Sequence, residues 1–147
     1  MRDLANRIVP VSSIAPVVQA ADVNGTGVDL IGFNSATVVV ASGVEGVTLS
    51  GSVFFEIILE DSDDDSTYTA VTSDSSVTNG SVSSTGVFLT LNANGETPQV
   101  SEIGYIGGKR YIRAVIDQTG TMGTGTPFSI TVIKGNPIDA DDADLIA

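Results

Sequence analysis

Val53-Phe54-Phe55-Glu56-Ile57-Ile58-Leu59 runs into Glu60-Asp61-Ser62-Asp63-Asp64-Asp65-Ser66, and Thr67-Tyr68-Thr69-Ala70-Val71 follows. The first segment is β-branched and aromatic over a strand's length, the second is built of turn formers, and the third alternates. This order predicts a β-hairpin over 53–71 with a tip stiffened by Asp and Ser side chains. The same signature recurs on both sides. Strands are predicted at Val28 to Phe33, Ala36 to Ala41, Val87 to Leu91, Tyr111 to Ile116 and Phe128 to Ile133. Clusters of Gly, Asn, Asp and Ser separate them, and helical periodicity is nearly absent. Tyr111 to Ile116 and Phe128 to Ile133 read as a second strand pair around a glycine-rich turn. The reading is all-β: an antiparallel β-sandwich or a jelly-roll-like fold. Its parts are an extended N-terminal arm (1–20), a β-domain (21–135) and an acidic C-terminal tail (136–147).

Composition bounds the function. The 147 residues suffice for one domain with its own core. Eighteen acids against six bases give a net charge of −12, which repels nucleic acid and favours solubility or a basic partner. Charged residues make up 16% of the chain, below the roughly 25% of an average domain, so a surface covered by neighbours is expected. The apolar runs are too short for a membrane-spanning helix, and no leader peptide is read at the start. With no Cys and no His, thiol chemistry, zinc fingers and the commonest general base are missing. No enzymatic activity and no cofactor are expected.

Two clusters invite a functional reading. Asp61, Asp63 and Asp65 alternate like the start of a calcium loop, but Ser66 stands where Gly is needed and Thr72 where a bidentate Glu is needed. The plainer reading is a solvated hairpin tip that discourages edge association, and on it Asp63→Asn and Asp64→Asn scarcely alter stability. Lys109, Arg110 and Arg113 form the basic cluster. They read either as an anchor to an acidic neighbour or as partners of carboxylates within the chain. A phosphate loop would need a helix after Gly107-Gly108, where a strand is expected. On that strand Arg113 shares a face with Tyr111 and Val115, while Ile112, Ala114 and Ile116 face the other way.

Several segments resemble small structural proteins encoded near the head genes of long-tailed bacteriophages. They are Val28-Asp29-Leu30-Ile31-Gly32-Phe33-Asn34-Ser35-Ala36, Leu59-Glu60-Asp61-Ser62-Asp63-Asp64, Gly104-Tyr105-Ile106-Gly107-Gly108-Lys109-Arg110-Tyr111-Ile112-Arg113 and Val132-Ile133-Lys134-Gly135-Asn136-Pro137, with the opening Met1-Arg2-Asp3-Leu4. In the family pattern a Gly occupies the hairpin tip where this chain has Asp65. The resemblance implies a virion protein: a capsid decoration, or cement, protein bound to the outer surface of the head. It implies the major capsid protein as partner, a homo-oligomer (a trimer), a place on the capsid surface after synthesis in the host cytoplasm, and contact with neither nucleic acid nor membrane. The expected interface residues are Arg2, Leu4, Arg7, Ile8 and Val9 in the arm, with Lys109, Arg110 and Arg113. The alternatives are a tail or connector component, or a calcium-binding adhesive module.

Overall fold

The computed structural model describes residues 4–138. After a 3₁₀ turn at Ala5–Arg7 come eleven strands: β1 (Ile8–Gln19), β2 (Val23–Asn24), β3 (Val28–Asp29), β4 (Phe33–Ser42), β5 (Phe54–Ser62), β6 (Thr69–Ala70), β7 (Val77–Thr78), β8 (Val87–Leu91), β9 (Gln99–Tyr105), β10 (Tyr111–Thr119) and β11 (Thr126–Pro137). They form an antiparallel β-sandwich. One sheet has the order β1-β11-β4-β9-β7; the other runs β2-β10-β5-β6, with β3 also on β10 and β8 on β5.

Alternation fills the space between the sheets. On β4, Ala36, Val38 and Val40 are buried while Thr37, Val39 and Ala41 point out. On β5 the inward set is Phe55, Ile57 and Leu59, and on β10 it is Ile112, Ala114 and Ile116, all of them 0% exposed. Phe55 from one sheet meets Phe128 from the other edge to face, with ring centroids 5.0 Å apart. The face predicted for Ile112, Ala114 and Ile116 is therefore the core face.

The hairpin of 53–71 forms, but its first strand runs on through Ser62, and Glu60 and Asp61 pair with Ala70 and Thr69. Three other expectations need correction. Val28 to Phe33 is not one strand: Phe33 donates its N–H to Leu30 in a turn, which separates β3 from β4. β10 and β11 do not pair with each other. The connection between them carries the chain from one sheet to the other, and it turns at Gly120 (φ +86°) and Gly125 (φ +80°). A Cβ on Gly125 would lie 2.5 Å from the Gln19 carbonyl, so only glycine allows this crossing.

The third concerns the N-terminus. Ile8–Gln19, expected within an arm, is β1, and it pairs with β11 from Ile8↔Gly135 to Gln19↔Thr126. Pro10 and Pro16 obscured it as a strand. They fit because β1 is the edge strand of its sheet, with register shifts between Ser12 and Val17, and an edge tolerates residues that cannot donate to a ladder. β9 was also missed, because Glu102 and Gly104 interrupt its pattern; Gly104 sits close against Thr78, whose Oγ1 lies 2.2 Å from where a Cβ would stand and would have to turn away from it. Of the tail, Asn136 and Pro137 belong to β11; 139–147 lie outside the described residues.

Candidate functional site

Three segments meet at one end of the sandwich: the hairpin tip after β5, the turn between β3 and β4, and the loop between β9 and β10. The tip is organised by Asp64. Its Oδ1 accepts hydrogen bonds from the backbone N–H of Ser66 (3.0 Å) and Thr67 (2.8 Å) and from the Ser62 hydroxyl (2.9 Å). These donors, the Thr67 N–H first, hold its carboxyl well below the usual carboxylate range. Asp65 adopts φ +59° at the tip. A short polar side chain tolerates that left-handed conformation, and the turn forms without a glycine.

Asp63 and Asp64 thus differ, contrary to the expectation that both are dispensable. Asp64→Ala is expected to lower the melting temperature measurably, whereas Asp63→Ala leaves it nearly unchanged. Because the Asp64 carboxyl is depressed in the folded state, its contribution is present above the ordinary Asp range. It is lost as pH falls through the lower folded value. Thermal melts of both variants from pH 7 to pH 2 check this.

Tyr105 ties the tip to the loop. The residue is 1% exposed. Its hydroxyl donates to Asp61 Oδ2 (2.9 Å) and accepts from the Lys109 N–H (3.2 Å). Burial, chiefly, pushes its phenol upward, so it stays protonated. Tyr105→Phe removes both bonds and is expected to cost about 1.5–3 kcal/mol, because one acceptor is a carboxylate. Urea unfolding measures the loss.

The basic cluster is neutralised within the chain. Lys109 pairs with Asp63. Arg110 grips Asp29 through Nε (3.0 Å) and Nη2 (2.7 Å) and lowers that carboxyl's pKa. Arg113 pairs with Glu60 (2.7 Å), the residue opposite it on β5, and its guanidinium lies over the Tyr68 ring at 4.1 Å. Of the two readings of this cluster, the geometry displays the internal pairing. The loop leads from strand to strand, with no helix N-terminus to receive a phosphate.

The aspartates of the calcium reading diverge. Asp61 accepts from Tyr105 and Thr69, Asp63 from Lys109, and Asp65 from Tyr68. Among the described residues no three metal-ligating side chains gather. A groove of about 390 Å³ runs beside this corner, with Leu30, Ile31, Phe33, Lys109, Arg110 and Ile138 in its wall. Ile31 and Ile138 stand exposed in it. Of the expected arm residues, Arg2 lies outside the described residues, Leu4 and Arg7 are exposed, and Ile8 and Val9 are half-buried in the β1–β11 ladder.

The surface that sequence reasoning missed is the outward face of the five-stranded sheet. Register places Pro10, Ser12, Ser35, Thr37, Val39, Ala41, Val100, Glu102, Pro127, Ser129, Thr131 and Ile133 on it. Glu102 is the one charged side chain in that set, on a chain of net charge −12. The outward face of the other sheet carries Glu56, Glu60, Arg113 and Asp117. Recognising the low charge of the first face requires knowing that β1, β4, β9 and β11 are neighbours.

The acids of the second face include one strained group. Asp117 lies opposite Glu56 and near Asp22, and burial, then Asp22, raises its pKa. A raised carboxyl destabilises the folded state once it ionises, so the penalty is absent below the ordinary Asp pKa and complete above the folded one. Asp117→Asn is expected to raise the melting temperature at pH 7 by roughly 1–3 °C, with the gain vanishing near pH 3. Melts at both pH values check it.

No protein-family model and no curated protein matches the sequence. Among solved structures, the chain is similar to one in a structure of infectious bursal disease virus, Gt strain, at 12% identity and a TM-score of 0.25. That alignment covers 95% of this chain and 43% of the viral one.

Proposed function

We propose that this chain is a structural protein of a virus particle whose work is adhesion, and more finely a decoration protein on the head of a tailed phage. The observation that carries the adhesive reading is the outward face of the five-stranded sheet. A chain with 18 acids and 6 bases leaves one charge there and exposes Val100 to 71%. Half of its residues are Ser, Thr or Glu, so the face is uncharged rather than apolar, and a low-charge face with an exposed aliphatic side chain suits contact with another protein. The loops at one end of the sandwich are tied down by Asp64, Tyr105 and three ion pairs, which gives a stiff module that docks without ordering itself first. The sequence segments that resemble phage head proteins support the finer reading.

Cryo-electron microscopy of intact particles tests it. Density for this chain on the outer shell is the expected result. Density confined to the tail assigns the connector or tail alternative instead, and absence from particles overturns both. Calorimetry with millimolar calcium tests the adhesive cation-binding alternative: the divergent aspartates predict no heat.

A further inference from the structure

The low-charge sheet face has a pattern of its own. Residues that pair across the strands form rows. One row is Ser12, Thr131, Val39 and Glu102, on β1, β11, β4 and β9 in that order. The next holds Ser129, Ala41 and Val100, and its β1 end is the irregular stretch between Ile14 and Val17. From that end, across β11 to β4, lies a shallow hollow of about 240 Å³, with Pro16 and Val17 as its β1 wall and Ala41, Gly43, Pro127 and Ser129 completing it. At the other end Val100 projects, 71% exposed.

We infer that this face pairs with the same face of a second copy, about a two-fold axis running along the strands between β11 and β4. The inference rests on the adhesive reading above and names the occupant of its surface. Rotation about that axis lays β9 of one copy over β1 of the other while keeping each row at its own height. To within the twist of the sheets, Val100 then meets the Pro16–Val17 wall of the hollow in the second copy, and Glu102 meets its Ser12 hydroxyl. A knob falls at the rim of a hollow, and the face's one carboxylate, which accepts from Asn79 Nδ2 (2.8 Å) in its own chain, gains a second donor. Both matches occur twice, as an isologous interface requires.

Charge opposes pairing least through this face. Two chains of net charge −12 repel over most orientations. Across this face the two Glu102 side chains stand on opposite flanks, three strand spacings or ~14 Å apart, which is beyond the ~8–10 Å screening length of ordinary salt. Size sets the strength. Four strands span ~19 Å, and the seven rows that all four share span ~23 Å. Each copy thus offers ~440 Å², and the pair about 900 Å², which fits a weak, reversible dimer.

Analytical ultracentrifugation of the full chain tests the pairing in 0.15 M salt, over ~1–100 µM protein. The expected result is a reversible dimer with a micromolar dissociation constant. Val100→Asp places a charge against the apolar wall of the hollow and is expected to weaken the dimer by ~100-fold or more. Its exposed position keeps the monomer folded, with a cooperative transition lowered only by the small cost of Asp in a strand. Ser12→Ala is expected to weaken it severalfold. Asn24→Asp, on the other sheet, adds the same charge with no effect on association. A chain that stays monomeric at 100 µM overturns the inference, as does a trimer or a Val100→Asp variant that still dimerises. A monomer that nevertheless decorates particles removes the dimer alone. A dimer absent from particles removes the virion reading alone.

Discussion

Deletion of residues 1–20 is expected to abolish the folded domain. On the sequence alone the same deletion trims a docking arm and leaves the β-domain intact. The structure reverses that expectation, because β1 supplies Ile14 (4% exposed) to the core and pairs with β11 along most of its length. Losing β1 uncovers Ile130 and Val132, both 0% exposed, along one side, and turns β11 into a bare edge. Burial of one such side chain contributes about 1.5–3 kcal/mol. Two or three of them, with the lost ladder, rival the ~5–15 kcal/mol that holds a whole domain together. The truncated protein should have no cooperative thermal transition by circular dichroism and should aggregate. A sharp transition within about 10 °C of the full chain would show β1 to be an accessory.

The second large effect is at the contact between the sheets. Phe55→Ala is expected to destabilise the domain by about 3–5 kcal/mol. Phe55 is 0% exposed, and its ring meets Phe128 edge to face. Truncation therefore removes the transfer free energy of the ring and one aromatic pair, and it leaves a hole that two hydrogen-bonded sheets close poorly. Phe55→Leu keeps most of the volume and should recover more than half of the loss. Chemical denaturation of the three proteins with a common m-value measures both differences. A loss below about 1 kcal/mol for Phe55→Ala would mean that the sheets are not packed through this pair.

What could be read from the residues was what period-two alternation marks. β4, β5 and β10 carry an apolar residue at every second position, and their inward faces follow directly. β1 was hidden because Pro10 and Pro16 argue against a strand until its edge position is known. β9 was hidden because Gly104 looks like a turn. The pairing of β11 with both β1 and β4 was out of reach, since hydrophobic pattern states which face is buried and not which strand is adjacent. The candidate site divides the same way. Lys109, Arg110 and Arg113 were evident as a cluster, and internal pairing was one of their two readings. Their partners lie far along the chain: Asp29 is 81 residues from Arg110, and Glu60 is 53 from Arg113. Asp64 was grouped with its neighbours because a sequence shows its charge and not the two backbone N–H groups it accepts from.

The ladder between β1 and β11 also sets a schedule. A ribosome releases Ile8–Gln19 first and Thr126–Pro137 more than a hundred residues later. Until then the earliest strand has no lasting partner, and the core stays open on that flank. The domain therefore closes only after nearly all of the described chain has been synthesised, in a slow step dominated by distant contacts. During that wait Pro10 and Pro16 interrupt the row of donors that another nascent chain would need for strand-to-strand capture, so the residues that disguised this segment also guard it while it is alone.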